Sequence, residues 1–145
     1  MNKSLITGMP RSGTSWMAQL LDSHPNVSFR MEPLFSYRFK NIIDLNSSCT
    51  EIRDFWSQLN EVDDDFILQT DKRRKGSYPN FKKSTPSLLL AKTTRYHQLI
   101  EKYLDCLPDI TIFALVRHPC GAINSWIKSD NEFSKKSCVV WKDWQ

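Results

Sequence analysis

The sequence predicts an α/β fold: a central parallel β-sheet flanked by helices in three layers. Three observations predict it. A short apolar run, Leu5-Ile6, leads through a loop of small residues into a helical pattern. Two further apolar runs, residues 88–91 and 110–116, read as strands, the first as a buried parallel one. Between those runs Tyr96, Leu99, Ile100, Tyr103, Leu104 and Leu107 recur at i, i+3, i+4, i+7, i+8 and i+11, the spacing of an amphipathic helix that Pro108 stops. Strand, helix and strand in that order form parallel crossovers.

The first unit organises the rest. Gly8, Pro10, Ser12, Gly13, Thr14 and Ser15 follow the first strand, and Trp16, Met17, Leu20 and Leu21 then mark one helix face. A glycine loop between strand and helix cradles anions, because backbone N–H groups and the helix dipole point at the ligand. Gly8 and Gly13 have the spacing of a P-loop, so the fold is P-loop-like. The Lys that should follow the second glycine is replaced by Thr14, with Ser15 next and the cation moved into the loop as Arg11. That exchange suits a phosphate-like group and counts against Mg-ATP chemistry.

Residues 10–16, PRSGTSW, closely resemble the 5′-phosphosulfate loop of sulfotransferases that use 3′-phosphoadenosine 5′-phosphosulfate (PAPS). A second string, VRHPCGAINSW at residues 116–126, resembles that family's 3′-phosphate motif: an Arg-x-Pro turn with a Ser eight residues after the Arg. Arg117 and Ser125 hold those positions. Pro119 is expected at the first position of the following helix, with Ala122, Ile123, Trp126 and Ile127 inward and Ser125 facing away.

The resemblance implies roles. Arg11, Ser12, Gly13, Thr14 and Ser15 would hold the 5′-phosphosulfate, Trp16 would stack on the adenine, and Arg117 with Ser125 would take the 3′-phosphate. Arg11 and Lys92 would neutralise charge in the transfer, without a metal. Glu32 follows an expected strand at residues 27–31 and precedes Pro33, which biases it toward extended backbone. Carbohydrate-type sulfotransferases carry Glu-Pro at this place, with the Glu as base. Read alone, Glu32 is more readily a surface acid. Many cytosolic members have Lys-Thr-His where this chain has Lys92, Thr93 and Thr94, so the His base is missing and Glu32 gains weight. The implied activity is sulfuryl transfer from PAPS to a hydroxyl or amine of a small-molecule or glycan acceptor. The other readings are a P-loop nucleotide kinase and a non-catalytic nucleotide-binding fragment.

Length and composition bound the rest. The 145 residues suffice for a single domain over 1–145, and the resemblance covers about the N-terminal half of a usual sulfotransferase, so incompleteness at the C-terminus is expected. Net charge is +4, which suits an anionic partner and is too diffuse for nucleic acid. No apolar run reaches the roughly 20 residues of a membrane span, and the early loop leaves no room for a signal peptide, so a cytoplasmic location is expected. Cys49, Cys106, Cys120 and Cys138 show no paired spacing and are expected reduced. Thr50 is the expected cap of a helix with Ile52, Phe55, Trp56 and Leu59 inward. The charge runs 63–65 and 72–75 read as solvated loops, the basic one also as a contact for an acidic acceptor or as a lid.

Overall fold

The computed structural model describes residues 1–128. Four strands form one parallel sheet in the order β2-β3-β1-β4. They are β1 (Asn2–Gly8), β2 (Val27–Met31), β3 (Leu88–Thr93) and β4 (Thr111–Leu115). Six α-helices accompany them: α1 (Thr14–Asp22), α2 (Cys49–Asn60), α3 (Asp65–Leu68), α4 (Thr70–Arg74), α5 (Ile100–Cys106) and α6 (Pro119–Ile127). The expected α/β parallel sheet is what the chain adopts.

Side chains of a strand alternate between faces, and the two cores follow that period. Leu5, Leu89 and Ala91 pack with Ile52, Phe55, Trp56 and Leu59 of α2 and with Tyr103 and Cys106 of α5. Ile6, Leu90, Phe29 and Met31 pack with Ala18 of α1 on the other face. Both inner strands are covered on both sides, which is why residues 88–91 read as an unbroken apolar run.

All four inward residues expected of α2 are buried, but the cap is Ser48. Its side chain accepts from the Glu51 N–H while Glu51 reaches back to the Ser48 N–H, a capping box. Several expected apolar faces are wider than what covers them. Trp16 and Leu20 are exposed while Met17 and Leu21 pack beside Ala18. Leu104, Ile123 and Ile127 are also exposed, with Ala122 and Trp126 carrying the contact of α6. Among the described strands β4 is an edge: it pairs with β1 alone, and Phe113 and Val116 stay exposed.

The charge runs are largely solvent-exposed, as expected, but they belong to short helices rather than loops, and Asp64 and Arg73 are half-buried. Asp64 caps α3 by accepting from the Ile67 N–H. The basic run closes α4, and Arg73 pairs with the buried Asp22 at 2.6 Å.

The cysteine expectation is corrected. Cys49 and Cys106 form a disulfide that joins the start of α2 to the end of α5, 57 residues apart in sequence, with a Cα–Cα distance of 4.9 Å. The two helices pack side by side, and that packing brings together thiols that show no motif in sequence. Cys120 is free and exposed, and Cys138 lies outside the described residues. Cross-linking a chain over such a span limits its unfolded states. Cys49→Ala is therefore expected to lower unfolding free energy by about 2–4 kcal/mol. Urea unfolding should show it, and reductant should reproduce the loss in the unmodified chain alone.

Candidate active site

Parallel register gathers the site on one edge. Thr7 pairs with Thr93, Gly8 with Leu115 and Met31 with Lys92, so all four strands end on the same side. The loop after β1, Glu32 after β2, Lys92 to Thr94 at the end of β3 and Arg117 after β4 therefore share the edge where open α/β sheets bind ligands.

The loop is shaped by its glycines. A Cβ on Gly8 would come within 2.6 Å of the Leu115 carbonyl oxygen, so only glycine lets β4 approach there. Gly13, at φ 99°, turns the chain into α1 in the left-handed region that favours glycine. Neither Gly13 nor an acidic first-turn residue caps α1 with a side chain, so its first N–H groups face the loop. Ser12 turns inward, donating from Oγ to the Met9 carbonyl at 2.6 Å. Thr14 is buried, Ser15 half-buried and Trp16 68% exposed, its indole face uncovered.

The two sequence motifs meet at Arg11. Its backbone is left-handed, φ 68°, and its Nε donates to Ser125 Oγ at 3.2 Å. Arg117 donates from a terminal nitrogen to the Arg11 carbonyl at 3.0 Å. Gly121 makes room for this, since a Cβ there would lie 3.1 Å from the Arg117 Nε. His118 caps α6 by accepting the Cys120 N–H, with Pro119 at the expected first position. Residues 106 and 114 apart thus form one cationic cluster beside the uncapped end of α1.

A second cluster surrounds Glu32. Its backbone sits at φ 41°, ψ 54°, left-handed where Pro33 led to an extended expectation. The turn is held by the Glu32 N–H, which donates to the Lys92 carbonyl at 2.8 Å, and by the Phe35 N–H, which donates to the Glu32 carbonyl at 2.9 Å. A non-glycine residue in this region costs on the order of 1–3 kcal/mol and persists where its surroundings fix it. Oε1 accepts from Lys92 Nζ at 2.7 Å and from Thr94 Oγ1 at 2.7 Å, and Oε2 accepts the Thr94 N–H at 3.1 Å. Both ionic side chains are nearly buried, at 11% and 7% exposure for Glu32 and Lys92. A carboxylate has about four acceptor positions. Oε2 keeps one for a further proton donor.

Sequence reasoning did not find Thr94 as the partner of Glu32, nor His97. Thr7 Oγ1 and His97 Nδ1 are hydrogen-bonded at 3.2 Å, tying the end of β1 to the turn before α5. The only sequence signal for Thr94 was its place directly after Lys92 and Thr93 at a strand end. A groove of about 490 Å³ opens on the turn that follows Glu32, lined by Phe35, Tyr37, Lys40, Asp64, Phe66 and Tyr96, among others, though not by Glu32 itself. Tyr96 donates to the Leu34 carbonyl, and burial first, then the Glu32 charge, raises its hydroxyl pKa, so it stays a neutral donor.

The family model described as the sulfotransferase family matches residues 5–142. The chain belongs to the sulfotransferase family. No curated protein matches it. Transfer of a sulfuryl group is the chemistry of sulfotransferases, and PAPS is their general donor. The matched span takes in both clusters of this sulfotransferase chain, from the loop after β1 to Arg117 and Ser125.

Proposed function

We propose that the chain transfers a sulfuryl group from PAPS to a hydroxyl, or amine, of an acceptor that enters by the groove at the turn that follows Glu32. The convergence of Arg11, Ser125 and Arg117 at the uncapped start of α1 carries this reading. A bisphosphorylated nucleotide needs two anion subsites, and the two motifs that meet at Arg11 supply donors for both. The N–H groups from Gly13 to Ser15, with Arg11 and Ser12, serve the 5′ group, and Arg117 with Ser125 serves the 3′-phosphate. The exposed face of Trp16 is free to stack on a base.

For the transfer, Glu32 Oε2 takes the acceptor proton as the new O–S bond forms and the S–O bond to the 5′-phosphate breaks, with 3′,5′-adenosine bisphosphate as the leaving group. Lys92 and Thr94 hold that carboxylate in place before the acceptor arrives. Lys92 and Arg11 then stabilise charge that grows on the transferring and leaving oxygens, an effect that is largest where water is excluded. Exposed Phe35, Tyr37 and Phe66, interleaved with Lys40 and Asp64, suit a ring-bearing acceptor with hydroxyls, such as a glycan or a small molecule.

The compartment follows from the disulfide more than from composition. Among the described residues no helix is long and apolar enough to cross a membrane. A Cys49–Cys106 bond persists where thiols are oxidised, which supports an oxidising compartment over the expected cytoplasm.

The second anion subsite gives the test. Arg117→Ala should weaken 3′,5′-adenosine bisphosphate by about 1.5–3 kcal/mol, the scale of a charged hydrogen bond, and leave AMP nearly unchanged. Calorimetry on both ligands measures it. Equal losses would mean that Arg117 does not read the 3′-phosphate.

A further inference from the structure

At the opposite end of α1 from the phosphate loop lies a second charged cavity. Nine residues of helix, about 13 Å at 1.5 Å per residue, separate Thr14 from Asp22. The cavity, about 460 Å³, sits between Asp22, β2 and the α3–α4 segment with the chain that follows it. Arg30, Arg73, Arg74 and Lys83 line it, against the single carboxylate of Asp22.

That carboxylate is paired on both oxygens. It accepts from Arg73 at 2.6 Å and from Lys83 at 2.7 Å and is 3% exposed. Arg74 meets Asp71 at 3.3 Å across an exposed turn, a weak pairing. Arg30 is 7% exposed and donates to the carbonyls of Phe29, Leu59 and Asn60 and to the Ser28 hydroxyl, all neutral acceptors. Burial lowers the Arg30 pKa, and only the Asp22 charge counters it. Arg73 also donates to the Leu68 and Pro79 carbonyls and Lys83 to the Asp22 and His24 carbonyls, so both fasten the segment, yet the lining still carries four cations to one acid. The surplus is positive, partly withdrawn from water, and adjoins open space. Buried charge of one sign is stabilised by a counter-charge.

We propose that this cavity is a binding site for an organic sulfate or phosphate ester. Its cations, with Arg74 at the rim, hold the oxyanion, and Phe81 covers the organic body. The site is separate from the catalytic edge, and the proposal stands whether or not the chain transfers sulfuryl groups. It gives the basic run at residues 72–75 a ligand of its own.

Nuclear magnetic resonance on the whole chain tests it. Inorganic sulfate and phenyl sulfate are titrated at constant ionic strength, with chloride as control. Expected are saturable shifts of the Ser28, Thr70 and Arg74 amides, with phenyl sulfate binding more tightly than inorganic sulfate. Arg74→Glu, at an exposed position that leaves the fold intact, should weaken both ligands at least tenfold. It should leave any shifts at Gly13 to Ser15 unchanged. Shifts confined to those loop amides, equal shifts with chloride, or unchanged affinity in Arg74→Glu would each overturn the proposal. Binding of inorganic sulfate as tight as phenyl sulfate would overturn the organic ester and leave a bare anion site.

Discussion

Replacing Glu32 with Gln is expected to lower turnover by about two to four orders of magnitude, the usual contribution of a positioned base. Affinity for 3′,5′-adenosine bisphosphate should stay nearly the same. Gln keeps the size of the side chain and an oxygen for Lys92 and Thr94, whose bonds to Glu32 measure 2.7 Å each. What it loses is the capacity to take a proton and the charge that pairs with the nearly buried Lys92, so turnover is compared on folded protein. An interaction used only in the transition state shows in turnover and not in ground-state binding. Single-turnover rates with a hydroxyl acceptor, beside calorimetry on the same protein, separate the two. Near-normal turnover would leave Glu32 as a holder of Lys92 and nothing more.

Lys92→Met is expected to cost about 3–5 kcal/mol of stability, because it strands a carboxylate that is 11% exposed. Adding Glu32→Gln in the same chain should restore much of that loss, since no buried charge then remains. Activity should not return. In the proposed transfer Lys92 and Glu32 act on different atoms, so restoring the fold would restore neither role. Urea unfolding of the two single variants and the double variant gives the coupling energy. If the double variant recovers both stability and turnover, the pair is structural only.

Much of this edge was legible in the chain. Strand β2 has the expected bounds, α2 buries the four expected residues, and Pro119 opens α6 as expected. These features depend on local periodicity and turn chemistry. The two motifs at residues 10–16 and 116–126 were legible through their resemblance to those of sulfotransferases, and folding adds that Arg11 itself joins them. The remainder depends on partners far along the chain. Arg73 read as solvated because Asp22 lies 51 residues away. Cys49 read as a free thiol because Cys106 comes 57 residues later. Leu104, Ile123 and Ile127 read as inward because periodicity gives a face and not the width that a neighbour covers. Glu32 departs from its extended expectation because Lys92 and Phe35 fix its backbone through tertiary and turn hydrogen bonds. A pre-proline preference is weaker than those together.

The central claim is that this edge binds a nucleotide carrying a 3′-phosphate, with Arg11 and Arg117 reading its two ends. Calorimetric titration of the unmodified chain with 3′,5′-adenosine bisphosphate, set against ATP with and without magnesium, tests it most directly. The expected result is saturable binding of the bisphosphate, at least tenfold tighter than ATP and indifferent to magnesium. Tighter binding of Mg-ATP would contradict the account and point to kinase chemistry, and absence of bisphosphate binding would remove the donor site on which the proposed transfer rests.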